Sequence, residues 1–131
     1  MKPSKRVFGT EGEFLAARYL EKQGYTLVAQ NFYTRFGEID LIVLREGVLV
    51  FVEVKTRHTD CAVRFGRGSL AVDRKKQEKI SRSAAVFLEQ NEQYADADYR
   101  FDVVEVYCGE TMHHEIRHTE DAFDCTSGIY I

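Results

Sequence analysis

Two apolar, β-rich runs joined by a short turn constrain this chain more than any other feature. The runs are Glu38–Leu44 and Val48–Thr56, and the Glu-Gly pair at 46–47 between them is a natural hairpin turn. Because both runs are apolar at most positions, they predict a sheet that is packed on both faces. Asp40 and Glu53 interrupt this pattern with carboxylates. The hairpin is therefore the predicted centre of the fold and of any functional site.

The length of the turn sets the register of the hairpin. With a two-residue turn at 46–47, Asp40 faces Glu53 and Glu38 faces Lys55. Directly opposed residues have Cβ atoms about 4.5 to 5.5 Å apart, so the Asp40 and Glu53 carboxylates would repel each other. A loop of three or five residues would shift this pairing by one. The sequence thus predicts two opposed acids in a buried sheet.

Strand alternation assigns the charged side chains to faces. Asp40 is expected to share a face with Glu38 and Ile42, while Glu53 and Lys55 share a face of the second strand. Opposed carboxylates need a shared proton, a neighbouring cation or a bound metal to offset their repulsion. Lys55 supplies one cation, and oxygen-only ligands suit Mg²⁺ or Mn²⁺. The alternative is an internal salt-bridge network, which is costly unless every member is satisfied.

Glu13 adds a third carboxylate from a predicted helix. Thr10 and Glu13 have the spacing of a capping box, and the helix is expected to run to about Gln23. On a helical wheel, Glu13 lies with Ala16 and Leu20 on the side that faces the core. The alternative interpretation is that Glu13 only completes the capping box.

The remaining elements complete an α/β pattern. The sequence predicts a strand at Tyr25–Asn31, an irregular loop at His58–Leu70, a second helix from Asp73 to about Asn91, and strands at Arg100–Tyr107 and His113–His118. With the hairpin, the order is α-β-β-β-α-β-β. This order favours one central mixed β-sheet flanked by helices.

Length and composition limit the class of protein. A chain of 131 residues with 44% hydrophobic and 30% charged residues is expected to form a single domain over 1–131. No apolar run approaches the roughly 18 residues of a membrane-spanning helix. Three cysteines without a CxxC motif argue against a disulfide framework and a four-Cys metal site. We expect a soluble, cytoplasmic protein with no membrane partner.

Charge is unevenly distributed along the chain, although the net charge is only −3. Lys55–Arg82 contains nine Lys or Arg against three acids, whereas Glu89–Asp124 contains two against eleven. A basic segment can contact phosphates, and without an aromatic-interleaved basic patch in the sequence we expect recognition of shape or backbone rather than bases. The candidate nucleic-acid contacts are Arg57, Arg67, Lys75, Lys79 and Arg82.

The hairpin motifs resemble a known family. GEIDLI at Gly37–Ile42 and FVEVKTR at Phe51–Arg57 are similar to the YraN-like family of uncharacterised bacterial proteins, and the resemblance covers most of residues 9–107. That family is assigned the restriction-endonuclease-like fold of the PD-(D/E)xK nucleases and is similar to archaeal Holliday-junction resolvases. Ile39 stands where the motif has its proline. Further matching residues are Gly12, Glu13, Ala16, Ala17, Tyr19, Leu20, Gly24, Tyr25, Asn31, Lys75, Arg100, Phe101 and Asp102.

The resemblance implies a site and an activity. Asp40 is the motif aspartate, Glu53 and Lys55 are the ExK pair, and Glu13 is the acid of the first helix; the three acids are the expected metal ligands. The implied activity is Mg²⁺- or Mn²⁺-dependent endonuclease hydrolysis of phosphodiester bonds in DNA, with branched or junction DNA as candidate substrates and recombination or repair as the setting. Lys55 would orient the attacking water or neutralise charge on the phosphate.

Two points stay open in this interpretation. A homodimer is suggested only by analogy with resolvases, which cut two strands symmetrically. The alternative function is a non-catalytic nuclease-fold protein that binds nucleic acid or a protein partner. The acidic C-terminal third favours this alternative because it would repel DNA.

Overall fold

The computed structural model describes residues 10–58, 72–108 and 114–125, and it has two helices and five strands in the predicted order. The protein is α/β, with the order α-β-β-β-α-β-β. In chain order the elements are α1 (Glu11–Lys22), β1 (Thr26–Thr34), β2 (Gly37–Arg45), β3 (Val48–His58), α2 (Arg74–Gln90), a 3-10 helix (Glu92–Tyr94), β4 (Asp98–Cys108) and β5 (His114–Phe123).

The strands form one mixed sheet in the order β1-β2-β3-β4-β5. Neighbouring strands are antiparallel except for β3 and β4, which run parallel. The chain between β3 and β4 contains α2, as a parallel connection requires. The acid-bearing hairpin β2–β3 therefore lies between the edge strand β1 and β4, with β3 at the centre of the sheet.

Each helix begins at the residue that the sequence predicts. The Thr10 hydroxyl accepts a hydrogen bond from the Glu13 N–H at 3.0 Å, and the Asp73 carboxylate accepts one from the Lys76 N–H at 2.8 Å. Such caps contribute typically about 1 kcal/mol each. Gly24 follows α1 with a φ of +95°, a backbone conformation that glycine adopts without strain.

The sheet is buried on both faces, and one helix covers each face. On one side α1 packs Ala16 and Leu20 against a cluster that includes Val43, Val50 and Val104. On the other side α2 packs Ile80, Ala84 and Phe87 into a second cluster with Leu49, Phe51 and Phe101 of the sheet. Among the residues that the structure describes, no helix has the length and apolarity needed to cross a bilayer.

The hairpin turn has the predicted geometry. Glu46 and Gly47 have φ values of +52° and +80°, as the two central residues of a type I′ turn require. Arg45 pairs with Val48, and the ladder follows the predicted register as far as the Leu41–Val52 pair. The local turn chemistry therefore fixes which residues of β2 and β3 are neighbours.

All five strands extend past their predicted C-terminal ends, and β1 and β5 extend furthest, where aromatic side chains pack. β1 continues past Asn31 to Thr34, and the Phe32 ring meets Phe87 of α2 with centroids 5.3 Å apart. β5 continues to Phe123, which stacks on Phe101 at 5.0 Å. The polar stretch after α2 contains a 3-10 helix that was not predicted. The predicted loop at His58–Leu70 lies, beyond its first residue, outside the described residues.

Candidate functional site

The first turn of α1 brings Glu13 close to the sheet. Gly12 lies so near β3 that an added Cβ would overlap the Thr56 hydroxyl, so a larger residue would push the helix away. Glu13 Oε1 accepts a hydrogen bond from Asn31 Nδ2 of β1 at 3.0 Å. The carboxylate of Glu13 therefore reaches across to the edge strand in addition to its place in the helix cap.

β2 loses its strict alternation at Asp40. Ile39 packs on the α2 side, whereas Leu41 packs on the α1 side and Ile42 again on the α2 side. Ile39 and Leu41 are two positions apart and should share a face of a regular strand, yet they lie on opposite faces. At the break, Asp40 Oδ2 accepts a hydrogen bond from the Val54 N–H at 2.8 Å. The predicted common face of Asp40 and Ile42 is wrong, because the strand turns between them.

Three acids meet at this break and form what we call the carboxylate cluster. Glu13, Glu38 and Asp40 each place a carboxylate oxygen within 4.8 Å of the others. Two of these acids, Glu13 and Asp40, were predicted as metal ligands, whereas Glu38 was not. Glu53, the third predicted ligand, is not part of the group formed by these three acids.

Asn31 orients two members of the cluster. Its amide nitrogen donates to Glu13 Oε1 at 3.0 Å and to Glu38 Oε2 at 2.6 Å. The backbone of Asn31 has a φ of +51°, a left-handed conformation that Asn tolerates better than most residues. No role in the site was predicted for Asn31. The available signal was an asparagine inside a β-rich run, where this residue is uncommon.

Asp40 and Glu53, which were predicted to face each other across the hairpin, are not paired in the β2–β3 ladder. Backbone pairing ends at Leu41–Val52, one pair before Asp40 and Glu53 would meet. The predicted Glu38–Lys55 pair is not part of the ladder either, and Lys55 Nζ lies 3.5 Å from Glu53 Oε2 instead. The register is correct where the ladder exists, but the strands separate at the site and leave room for the carboxylates.

Glu53 is held by two lysines. The residue is only 4% exposed, and its Oε2 lies 3.5 Å from Lys55 Nζ and 3.3 Å from Lys76 Nζ. Lys76 belongs to α2 and was not predicted, whereas the neighbouring Lys75 is exposed. The helical wheel contained the signal, since Lys76 precedes the buried Ile80 by four residues and shares its side of the helix.

Burial and mutual repulsion disfavour charge in the cluster. Burial first, and then the charge of Glu53, raise the pKa of Asp40 from 3.8 to about 8, although the Val54 N–H lowers it. Burial also raises the pKa of Glu13, with a further contribution from Glu38, against the opposing hydrogen bond from the Asn31 amide. The cluster is therefore an environment that favours a proton or a cation.

The predicted nucleic-acid contacts have different surroundings. Arg57 Nε lies 3.3 Å from Glu105 Oε2, and Arg67 is outside the described residues. Three of the predicted contacts are exposed on α2 at positions that share one helical side, namely Lys75, Lys79 and Arg82.

A second charged network lies near the other edge of the sheet. Asp102 accepts hydrogen bonds from Arg100 Nε and Nη2 at 2.9 and 3.1 Å and from the Asp121 N–H at 2.9 Å, and it lies 2.7 Å from His118 Nε2. Burial would raise the pKa of Asp102, but the hydrogen bonds from His118 and Arg100 outweigh it and lower the pKa. Arg100 and Asp102 thus form an ion pair, with Arg100 Nε 2.9 Å from Asp102 Oδ1.

Comparison with known proteins identifies relatives over most of the chain. The model of uncharacterised protein family UPF0102 matches residues 12–106. A UPF0102 protein of Caldanaerobacter subterraneus subsp. tengcongensis is 45% identical over 106 residues, which are 81% of this chain and 84% of the relative.

Two further relatives have similar coverage. A UPF0102 protein of Vibrio parahaemolyticus is 42% identical over 79% of this chain and 84% of its own length. One from Trichlorobacter lovleyi is 39% identical over 91% of both chains. These matches confirm the YraN-like family of uncharacterised proteins expected from the motifs, and the chain belongs to uncharacterised protein family UPF0102.

Proposed function

We propose that this protein is a metal-dependent nuclease that hydrolyses phosphodiester bonds in DNA, with branched or junction DNA as candidate substrates. The observation that carries the proposal is the carboxylate cluster of Glu13, Glu38 and Asp40, whose oxygens gather within 4.8 Å beside the Glu53–Lys55 pair. Buried acids with raised pKa values are stabilised when a cation joins them. Such an arrangement is expensive as a purely structural feature.

The topology supports a restriction-endonuclease-like fold. An antiparallel hairpin carries the aspartate on its first strand and the Glu-x-Lys triplet on its second, and the second strand pairs in parallel with β4. One helix covers each face of this sheet. The finer fold assignment rests on the motif resemblance, and the observed α/β order is compatible with it.

The donor atoms of the cluster fit Mg²⁺ or Mn²⁺. Glu13, Glu38 and Asp40 offer carboxylate oxygens, the ligand type that these hard cations prefer, and the cations typically keep positions for water and substrate phosphate. We therefore assign the ion to these three acids and give Glu53 a supporting place beside it. A bound ion would lower the pKa of a water molecule and stabilise negative charge on the phosphate.

The neighbouring residues would keep this site in a fixed geometry. The Val54 N–H holds Asp40, and the Asn31 amide holds Glu13 and Glu38. Lys55 is a compact positive charge on β3, next to Val54. Its Nζ lies 3.5 Å from Glu53 Oε2, which positions it. We assign to Lys55 the orientation of the attacking water and the neutralisation of charge on the scissile phosphate.

A second candidate function is binding of nucleic acid or a protein partner without cleavage. The observation that favours it is the acidic surface at the β5 end of the sheet, where several carboxylates are exposed. This surface would repel DNA and would suit a basic protein partner. The exposed acids are Glu115, Glu120, Asp121 and Asp124.

Cleavage assays with labelled duplex, single-stranded, flapped and four-way-junction DNA distinguish the two functions. With Mg²⁺ or Mn²⁺ we expect cutting by the wild-type protein and a loss of roughly 100- to 1,000-fold in Asp40→Asn, the scale seen when a group that stabilises transition-state charge is removed. Glu21→Gln is the matched control, because Glu21 is an exposed acid at the far end of α1. Cutting that survives in Asp40→Asn would reject the site, and no cutting by the folded wild type would favour the binding function.

A further inference from the structure

An exposed aromatic residue lies beside the carboxylate cluster. Tyr33 of the edge strand β1 is 72% exposed and is paired with Glu38 across the β1–β2 ladder. Paired residues share a face of the sheet and have Cβ atoms about 4.5 to 5.5 Å apart. The Tyr33 ring is therefore a large apolar surface next to an acid of the proposed cleavage site.

The turn that follows β1 adds a second ring, Phe36, which lies near one arginine of the turn and one of α2. The guanidinium carbons of Arg35 and Arg82 lie 4.9 and 5.5 Å from the centroid of the Phe36 ring. None of the ion pairs found within 10–58, 72–108 and 114–125 involves either arginine. Their charges are therefore not neutralised by a described carboxylate and can serve an anionic ligand.

Hydrogen bonds fix this turn against α2. Thr34 Oγ1 accepts from the N–H groups of Phe36 and Gly37 at 3.0 and 3.2 Å. The same oxygen lies 2.7 Å from the hydroxyl of the buried Ser83 in α2. Because the turn is already ordered, a ligand that binds there loses little affinity to ordering it.

The distance between this turn and the carboxylate cluster can be spanned by a short nucleic-acid strand. Asp40 is the fourth residue after Phe36, which corresponds to roughly 13 Å at about 3.3 Å per residue. That length corresponds to about four stacked nucleotides at 3.4 Å of rise each. A nucleic-acid strand with one phosphate at the cluster can therefore pass Tyr33 and reach the turn.

We propose that Tyr33, Arg35, Phe36 and Arg82 form a strand-binding track that takes an unpaired nucleic-acid strand to the carboxylate cluster. The inference rests on the proposed nuclease function and narrows its substrate to DNA that is single-stranded or splayed next to the cut. Rings can stack only on bases whose faces are free, and the two guanidiniums supply phosphate contacts.

The track changes one expectation from the sequence. The sequence showed no basic patch interleaved with aromatic residues, and recognition of bases was not expected. The fold creates such a patch by bringing Arg82 of α2 onto the Phe36 ring of a distant turn. Base stacking, without reading of base edges, is therefore part of the proposed recognition.

Fluorescence anisotropy with a labelled 20-nucleotide oligo-dT and a blunt hairpin duplex tests the track, in EDTA so that no metal-dependent cutting occurs. We expect Tyr33→Ala to weaken oligo-dT binding about tenfold and to leave duplex binding within about twofold. Arg35→Gln with Arg82→Gln should reduce the salt dependence of oligo-dT binding by about two units of slope. Lys22→Gln, an exposed cation at the far end of α1, is the control.

The outcomes separate this inference from the proposed function. Equal weakening of oligo-dT and duplex binding by Tyr33→Ala, or no weakening, overturns the track even if the protein cuts DNA. Selective loss of oligo-dT binding supports the track even if no cutting is found. Melting temperatures of the variants within a few degrees of wild type show that the changes do not act through unfolding.

Discussion

Asp40 and Asp102 are two aspartates of one sheet whose surroundings shift their pKa values in opposite directions. Asp102 is 1% exposed, yet an arginine, a histidine and a backbone N–H lower its pKa. Asp40 receives one backbone N–H and faces other acids, and its pKa rises to about 8. Burial acts in the same direction on both, so the difference comes from their partners.

The two aspartates differ in whether the protein itself supplies positive charge to balance them. Around Asp102 the chain supplies the positive charge itself, through Arg100 and the neighbouring His118. Around Asp40 the nearest charged groups of the cluster are acids, Glu13 and Glu38. The first arrangement is complete as it stands, whereas the second lacks a compensating positive charge.

Asp102→Ala should have the largest effect on stability. The change removes a fully buried carboxylate from the partly buried Arg100 and His118, and removal of one partner from a buried ion pair costs about 3 to 5 kcal/mol of unfolding free energy. Urea denaturation measures the loss, with Asp98→Ala as the control because Asp98 is an exposed acid of the same strand. A loss below about 1 kcal/mol would show that the network is not a structural centre.

Asp40→Asn should stabilise the protein at high pH. The pKa of Asp40 is raised in the folded state from 3.8 to about 8, so the folded protein binds a proton that the unfolded chain has released, and stability falls as the pH rises through this window. Asparagine keeps an acceptor for the Val54 N–H without the charge. We expect about 1 to 3 kcal/mol of added stability at pH 9 and convergence near pH 4.

Unfolding curves of wild type and Asp40→Asn across this pH range measure the effect. Glu46→Gln, at the exposed hairpin turn, is the matched control and should follow the wild-type curve. Parallel curves for wild type and Asp40→Asn would show that the protein already compensates the Asp40 charge, and the contrast with Asp102 would disappear.

Mg²⁺ should stabilise the protein through the cluster alone. At a concentration ten times the dissociation constant, binding contributes about 1.4 kcal/mol, or roughly 5 °C in melting temperature. Asp40→Asn should lose this shift, while Glu120→Gln, near the second network, should keep it. An equal shift in all three proteins would place the ion elsewhere.

The smallest expected effect distinguishes two adjacent lysines. Lys76 lies 3.3 Å from the buried Glu53, so Lys76→Ala should cost about 1 kcal/mol. Lys75→Ala, which removes an exposed charge, should change stability by less than about 0.5 kcal/mol. Urea denaturation of both variants is the measurement. Equal costs would mean that Glu53 draws its compensation from Lys55 alone.

Most of the fold could be predicted from local chemistry. The helix caps at Thr10 and Asp73 and the turn at 46–47 depend on neighbours in the sequence, and each lies where it was predicted. The ends of β1 and β5 could not be read in this way. They depend on packing of Phe32 and Phe123 against rings from distant elements.

The site was predicted in part. Its residue types can be read from the sequence, whereas its geometry depends on contacts between distant elements. Glu13 and Asp40 were correctly expected to lie close together, and Lys76 could have been found on the helical wheel. The place of Glu38 depends on where the β2–β3 ladder ends and on the left-handed conformation of Asn31. The end of the ladder has no signature in the sequence, and the asparagine within a β-rich run was the one available signal for the second. Nuclease activity stays a prediction from the motif resemblance.

The uncompensated burial of Asp40 has a consequence for laboratory evolution. A random library sorted only for thermal resistance should enrich neutral residues at this position, since they relieve repulsion, and should discard changes at Asp102. A library sorted for the proposed cleavage of DNA should instead retain aspartate at position 40 and discard the neutral residues. The two sorting regimes would thus drive the same position toward different amino acids.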